Sequence, residues 1–192
     1  MQPQRYSAID SLRGLAMVWM TVFHFSFDLN YFGLIRQNFY HDPVWTWQRT
    51  LIVSLFMFCA GLGQAVALAQ GQAWPRFWRR WAQVALCALL VSLGSWLVFP
   101  NSFIYFGVLH GLALMLIVVR MSAHWGRVLW WLGALAVASK FVGAWLLESN
   151  VALAGVFNAP ALNWLGWITQ KPFTEDYAPL FPWLGVVWWG AA

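Results

Sequence analysis

An all-α, polytopic transmembrane helix bundle is the fold class this sequence predicts, and three observations predict it. Only 9% of the 192 residues are charged, while 61% are apolar and 19% aromatic, against about 25% charged in an ordinary soluble domain. A chain so poor in charge cannot cover a water-facing surface, so its surface faces lipid. The apolar residues also fall into runs of about 20, the length that crosses a hydrocarbon core of roughly 30 Å. Finally, the 16 tryptophans collect at the ends of those runs, at the headgroup levels where an amphipathic ring is best solvated. The length allows five or six spans and leaves no room for a soluble second domain, so residues 1–192 read as a single transmembrane domain.

Taken in order, helix 1 covers Ile9 to Gly33, helix 2 Trp47 to Gln70, helix 3 Phe77 to Phe99, helix 4 Phe103 to Met121 and helix 5 Val128 to Leu147. Trp45 and Trp47 open helix 2; Trp74, Trp78 and Trp81 open helix 3 and Trp96 closes it; Trp125 follows helix 4; and helix 5 runs from Trp130 and Trp131 to Trp145. A sixth apolar run, Pro179 to Ala192, is 14 residues long, about 21 Å of helix and short of a full crossing. The expectation is five complete spans plus a truncated sixth, in a natural protein that continues beyond residue 192. The connection Ser149 to Tyr177 holds Asn150, Asn158, Pro160, Asn163, Lys171, Pro172, Glu175 and Asp176, and reads as a folded loop or interfacial half-helix.

Orientation follows from the basic residues. With the N-terminus cytoplasmic, the inner ends hold Arg5, Arg13, Arg76, Arg79, Arg80, Arg120 and Arg127, and the outer half holds Arg36, Arg49, Lys140 and Lys171. That excess obeys the positive-inside rule. Helix 1 has acid and base before its apolar run and no small-residue cleavage site, so it is retained and is not a signal peptide. The net charge of +5 comes without a basic tail, so nucleic acid is not an expected partner. Cys59 and Cys87 lie inside apolar runs and read as small packing residues, not as a metal site or disulfide.

Polar chemistry concentrates on helix 1. Asp10, Arg13, Met17, Thr21, His24 and Asp28 recur at steps of three and four, one stripe on one face of an α-helix. A charge at membrane depth costs about 2.5–3.5 kcal/mol on insertion scales, so the stripe is expected to face a bundle interior or watery cavity. The plain alternative is an Asp10–Arg13 interfacial pair and a satisfied His24–Asp28 pair.

These residues also carry a resemblance. Arg5-x4-Asp10-x2-Arg13-Gly14, followed by an apolar helix with His24, resembles the opening of the transmembrane acyltransferase superfamily. The branch most similar contains the catalytic domain of heparan-α-glucosaminide N-acetyltransferase and its uncharacterised bacterial relatives, with the acyltransferase-3 family more distant. Leu55-Phe56-Met57-Phe58-Cys59-Ala60-Gly61, Phe106-Gly107-Val108-Leu109-His110-Gly111 and the stretch from Asp176 through Pro179 and Pro182 to Gly185 support it in the same order.

The resemblance implies transfer of an acyl group, commonly acetyl, from cytosolic acetyl-CoA or another acyl-CoA to a hydroxyl or amine of an extracytoplasmic glycan or lipid-linked acceptor. It also implies residence in a bacterial inner (plasma) membrane; no metal is expected. Arg13, Arg79, Arg80 and Arg120, with Asp10 one turn before Arg13, are the candidate donor-binding residues, because guanidinium groups bind phosphate bidentately; ordinary positive-inside arginine is the alternative for each of the four. Arg49, His110 and Asp176 are candidates for the acceptor side. Neutral imidazole serves as base or acyl acceptor near pH 7, and Asp28, one turn after His24, is the candidate orienting carboxylate. His41, beside Asp42 in the first outer loop, is the rival: the glucosaminide branch favours it, whereas the acyltransferase-3 pattern favours His24, which is placed first here. The other function class is a small transporter or flippase core, which also puts acid, base and histidine groups inside a bundle, although the sequence shows no internal repeat or paired broken helices.

Overall fold

The computed structural model describes residues 6–192, so Arg5 lies outside the described residues. Among those residues the chain forms seven α-helices and no strand: α1 Ser7–Tyr31, α2 Pro43–Ala69, α3 Trp74–Val98, α4 Val108–Ser122, α5 Val128–Glu148, α6 Val151–Asn158 and α7 Leu180–Ala191. A 3₁₀ turn, Ala123–Trp125, prolongs α4.

Four helices are long and apolar enough to cross a membrane: α2, α3, α4 with its 3₁₀ extension, and α5. Helix α1 has 25 residues but falls outside that group, because Asp10 and Arg13 near its start and His24, Asp28 and Asn30 toward its end lower its hydropathy. Helix α7, with 12 residues, is too short to cross alone. The expectation of five complete spans is therefore met by length and composition for four.

Two boundaries differ from expectation for local reasons. Helix α2 starts at Pro43, not Trp47, because the Asp42 carboxylate accepts from the Val44 N–H at 2.8 Å and proline occupies the first turn, where its missing N–H costs nothing. Helix α4 starts at Val108, not Phe103, because Gly107 is extended and the segment before it bonds to the loop ahead of α7. The 149–177 connection contains α6, capped by the Asn150 side chain on the Leu153 N–H at 3.1 Å, and a 3₁₀ turn at Asn163–Leu165.

Helix α7 is the central strut, packed between α2 and α5 and against α4; α1 lies on α2 and α3 on α4. The main apolar cluster joins Met57, Met115, Val119, Leu129, Leu184, Val187 and Ala191. Lipid tails are as apolar as these side chains, so close packing and not water expulsion drives helices together. Glycine supplies that closeness: a side chain on Gly61 would run into the Val187 carbonyl, one on Gly190 into the Phe58 carbonyl, and one on Gly133 into Trp189 and the Gly185 backbone. Helix α1 rests on α2 through Ala16 and Phe23, which packs with Phe39, Ile52 and Trp45, and Phe39 stacks on Trp45 at 4.1 Å. That contact face leaves Arg13, Met17, Thr21, His24 and Asp28 exposed.

Candidate functional site

Two polar centres lie at opposite ends of the space bordered by α1, α2, α3 and α4. At the first, Ala60, Gly63, Gln64 and Ala67 recur on one face of α2 and Phe77, Arg80, Trp81 and Val84 on one face of α3; with Arg13 and Leu116 they line a cavity of about 200 Å³. Small residues on α2 make the room, and the Trp81 indole N–H fixes α3 on α4 by donating to the Ala113 carbonyl at 2.8 Å.

Arg13 enters this cavity from α1. One Nη2 proton points at the Cys59 carbonyl, 3.4 Å away, Nη1 lies 3.8 Å from Asp10 in an exposed i,i+3 pair, and the guanidinium fills the space beside Gly63. Arg80 lines the opposite wall. Between them the buried Oε1 of Gln64 has no hydrogen-bond partner. An unpaired buried acceptor costs about 1–3 kcal/mol; a guest carrying an anionic group and an amide N–H would satisfy it together with the two guanidinium groups.

Of the other arginines proposed for the donor, Arg79 is exposed and does not line the cavity. Arg120 is 5% exposed; its guanidinium sits over the Trp74 and Phe77 rings at 5.3 and 5.6 Å and donates to the Gln72 carbonyl. Because Gln72 and Phe77 line the cavity, Arg120 braces the wall from behind. Its Nε and Nη1 are buried without a partner.

The second centre is assembled where the 99–107 loop meets the segment before α7. Glu175 N–H donates to the Ser102 carbonyl at 3.0 Å and Ser102 Oγ returns a bond to the Glu175 carboxylate at 2.6 Å. Thr174 Oγ1 donates to the Phe103 carbonyl at 2.8 Å, and the Val108 N–H donates to Asp176 Oδ2 at 2.7 Å. Asp176 thus sits at the N-terminus of α4, where free backbone donors favour negative charge. Its oxygen occupies the place a side chain on Gly107 would take. Burial pushes the Asp176 carboxyl above the ordinary carboxylate range, against the opposing pull of the Val108 N–H, His24, Lys171 and His110. His24 of α1 is therefore close enough for its charge to bear on Asp176.

His110 is held by both ring nitrogens. The Gly107 N–H points at Nδ1, 3.3 Å away, so the neutral ring carries its proton on Nε2, 2.9 Å from Ser92 Oγ, and the Ser92 hydroxyl donates to the Ile104 carbonyl at 2.6 Å. Behind them Asn163, 1% exposed, donates from Nδ2 to the Tyr105 hydroxyl at 2.7 Å, while the Tyr177 hydroxyl donates to the Asn163 carbonyl at 2.6 Å. Burial raises both phenols above their ordinary value.

Around this centre, burial and Arg49 push the Lys171 ammonium below its ordinary value, against Asp176 and Glu175. Burial and Glu175 raise the Tyr40 phenol, against Arg49. His24, Asp28 and His41 are all exposed. Asp28 makes no side-chain hydrogen bond and no ion pair within 4.0 Å, to His24 or any other described residue. His41 anchors its loop through its backbone N–H on Asn38 Oδ1 at 3.1 Å, and the acid beside it, Asp42, is engaged as the α2 cap.

The structure thus lines one cavity with Arg13 and Arg80 and, at the other end, ties Asp176 to the Gly107–Val108 turn that holds His110; His24, Lys171 and Arg49 bear on that end by charge alone, and Arg79, Asp28 and His41 belong to neither group. Sequence reading missed Gln64 and Ser92. A lone amide in the apolar run of α2 was a readable signal for Gln64, since polar groups at membrane depth are costly; Ser92 had none, because serine is common in spans. Among the described residues no cluster of three His, Cys, Asp or Glu side chains gathers to hold a metal.

The described residues are all-helical, with apolar helices compatible with a multi-pass membrane protein, a basic cavity at one end and a buried acid beside a histidine at the other. The profile of the family described as heparan-alpha-glucosaminide N-acetyltransferase, catalytic, matches residues 5–192, and the chain belongs to that family. No curated protein and no solved structure matches it.

Proposed function

We propose that this chain transfers an acyl group, acetyl in the first instance, from cytosolic acyl-CoA to a hydroxyl or amine on the far side of the membrane, with a glycan or lipid-linked acceptor. The observation that carries the reading is the pairing of the two centres on α1. Arg13 lies in the basic cavity and His24, 11 residues on, at the acid–histidine centre, about 16 Å away along the helix. An extended pantetheine arm covers a distance of that order.

The cavity fits part of such a donor. Arg13 and Arg80 offer bidentate contacts to phosphate, and Gln64 Oε1 offers an acceptor to a pantetheine amide N–H. At the other end His24 takes the acceptor's proton as the acceptor oxygen or nitrogen attacks the thioester carbon. The C–S bond breaks, and the sulfur leaves with the proton that His24 held. His41, exposed in the loop between α1 and α2, engages the acceptor. Arg49 and Lys171 supply positive charge near the oxyanion that develops on the carbonyl. In this reading α1 crosses the membrane as a fifth span, with its N-terminus cytoplasmic, its polar stripe lining the route and the Arg80 end facing the donor.

Membranes containing the protein, incubated with acetyl-CoA labelled in the acetyl group, should pass label to an extractable lipid or glycan. Hydrolysis alone, with no labelled acceptor, would overturn the assignment.

A further inference from the structure

We propose that Gln64 sets the donor specificity of the Arg13–Arg80 cavity: the cavity recognises the phosphopantetheine portion of an acyl thioester, its phosphate on the guanidinium groups and its amide on Gln64, and leaves the nucleotide of coenzyme A outside. This assignment rests on the acyltransferase reading and deepens it, because it names the part of the donor that the site recognises.

Most polar groups around the cavity are already engaged within the protein. The Trp81 indole N–H goes to the Ala113 carbonyl at 2.8 Å, and the Gln72 carbonyl takes Arg120. Arg13 directs one Nη2 proton at the Cys59 carbonyl and Nη1 at Asp10. Arg80, on the opposite wall, forms no ion pair or side-chain hydrogen bond with another described residue. The carboxamide of Gln64 forms none either, although its Oε1 is buried. The last torsion of a glutamine is broad, so an amide without a partner turns either its oxygen or its nitrogen toward a guest. An unpaired buried acceptor destabilises the fold, and functional sites are where proteins retain such groups.

The remaining wall is apolar, with Phe77, Val84 and Leu116. In a phosphopantetheine thioester the phosphate is followed by a dimethyl-branched carbon, a hydroxyl and an amide N–H, before the chain thins to a linear arm that ends in the sulfur. Anion, branched apolar group and amide are the features that guanidinium, apolar wall and carboxamide each meet. A volume of about 200 Å³ is worth about seven waters at roughly 30 Å³ each. That holds the phosphate and the branched, amide-bearing stretch but not a nucleotide as well.

The test is equilibrium binding to the full chain in membranes, with three probes: acetyl-CoA, acetyl-phosphopantetheine, and an acetyl thioester of a plain alkyl phosphate of matching length, which has the phosphate and no amide. In the wild type, acetyl-phosphopantetheine should bind within about tenfold of acetyl-CoA. Gln64→Leu keeps the bulk and removes the amide. It should weaken both amide-bearing donors about three- to tenfold and leave the amide-free thioester within about twofold, as a direct contact between Gln64 and the guest amide requires. Arg80→Gln should weaken all three. Without ligand, Gln64→Leu should melt at or above the wild-type temperature, because it removes an unpaired acceptor and no hydrogen bond. Equal weakening of the amide-free thioester in Gln64→Leu, or a melting temperature below wild type, makes Gln64 a packing residue and overturns the proposal. So does a wild type that binds acetyl-phosphopantetheine more than about tenfold worse than acetyl-CoA. A wild type that shows the expected binding pattern and transfers no acetyl group counts against the acyltransferase reading alone.

Discussion

The guanidinium of Arg13 fills the space that a side chain at Gly63 would need: a Cβ built there would meet Arg13 Nη2. The cavity that Arg13 enters therefore depends on a residue with no functional group. Gly63→Leu should drive Arg13 out and weaken acetyl-CoA binding as far as Arg13→Gln or Arg80→Gln does, tenfold or more, if each lost charge-assisted contact is worth about 1.5–3 kcal/mol. Equilibrium binding of acetyl-CoA and of a short thioester lacking the nucleotide checks this. Only the former should weaken, and equal weakening of both would place the loss in the fold and not in phosphate recognition.

Arg120 should behave differently from Arg80, although both were candidates on the same grounds. Its guanidinium is spent on Trp74, Phe77 and the Gln72 carbonyl. Arg120→Gln is expected to loosen the α2–α3 turn, seen as faster proteolysis near Gly71, while changing acetyl-CoA affinity several-fold less than Arg80→Gln. A larger loss of affinity in Arg120→Gln would return Arg120 to the binding set.

The raised Asp176 carboxyl carries a signature in stability. Because the folded protein holds this proton more tightly than the unfolded chain, folding takes up a proton as the pH falls through the raised folded value, and stability rises. The gain is complete below the ordinary value of 3.8. Wild type should therefore gain thermal stability relative to Asp176→Asn as the pH falls toward 3.8, a scan that removes the contributions of the other titrating groups by difference. A difference that stays flat would show that burial does not strain the carboxylate.

Sequence read the fold well where a single periodicity decided it. The apolar runs located α2, α3, α4 and α5, and the short run from Pro179 gave α7. It failed where partners distant in sequence decide. The start of α4 moved from Phe103 to Val108 because Asp176, 68 positions away, caps it, and no local pattern announces that bond. The stripe on α1 was legible as spacing, but which residue each member meets was not. Arg13 finds Cys59 and Gly63 on α2, whereas His24 forms no ion pair within 4.0 Å with the acid one turn along its own helix. Arginines equal in type and nearly adjacent in sequence, Arg79 and Arg80, diverge because about 100° of helical rotation turns one toward the cavity and the other away.

His24 and His41 separate by variant kinetics. His24→Ala is expected to abolish acyl transfer while the protein stays folded and binds acetyl-CoA. His41→Ala, in a loop that packs on α1 through Phe39, should mainly raise the KM for the acceptor. Single-turnover transfer from labelled acetyl-CoA checks both, with mass spectrometry of the protein for a trapped acyl group. Retained activity in His24→Ala with loss in His41→Ala would reverse the roles.

The central claim, that the acyl group passes from the Arg13–Arg80 cavity to His24 on the other side of the membrane, is tested most directly by sidedness. Sealed vesicles of one orientation, established by cysteine labelling beside Arg79 and beside His41, would receive acetyl-labelled acetyl-CoA on the Arg79 side only. The account predicts labelled acceptor on the His41 side, with transfer weakened in Arg80→Gln and absent in His24→Ala. Labelled acceptor confined to the donor side, or cysteines at both positions labelled from one side, would contradict it.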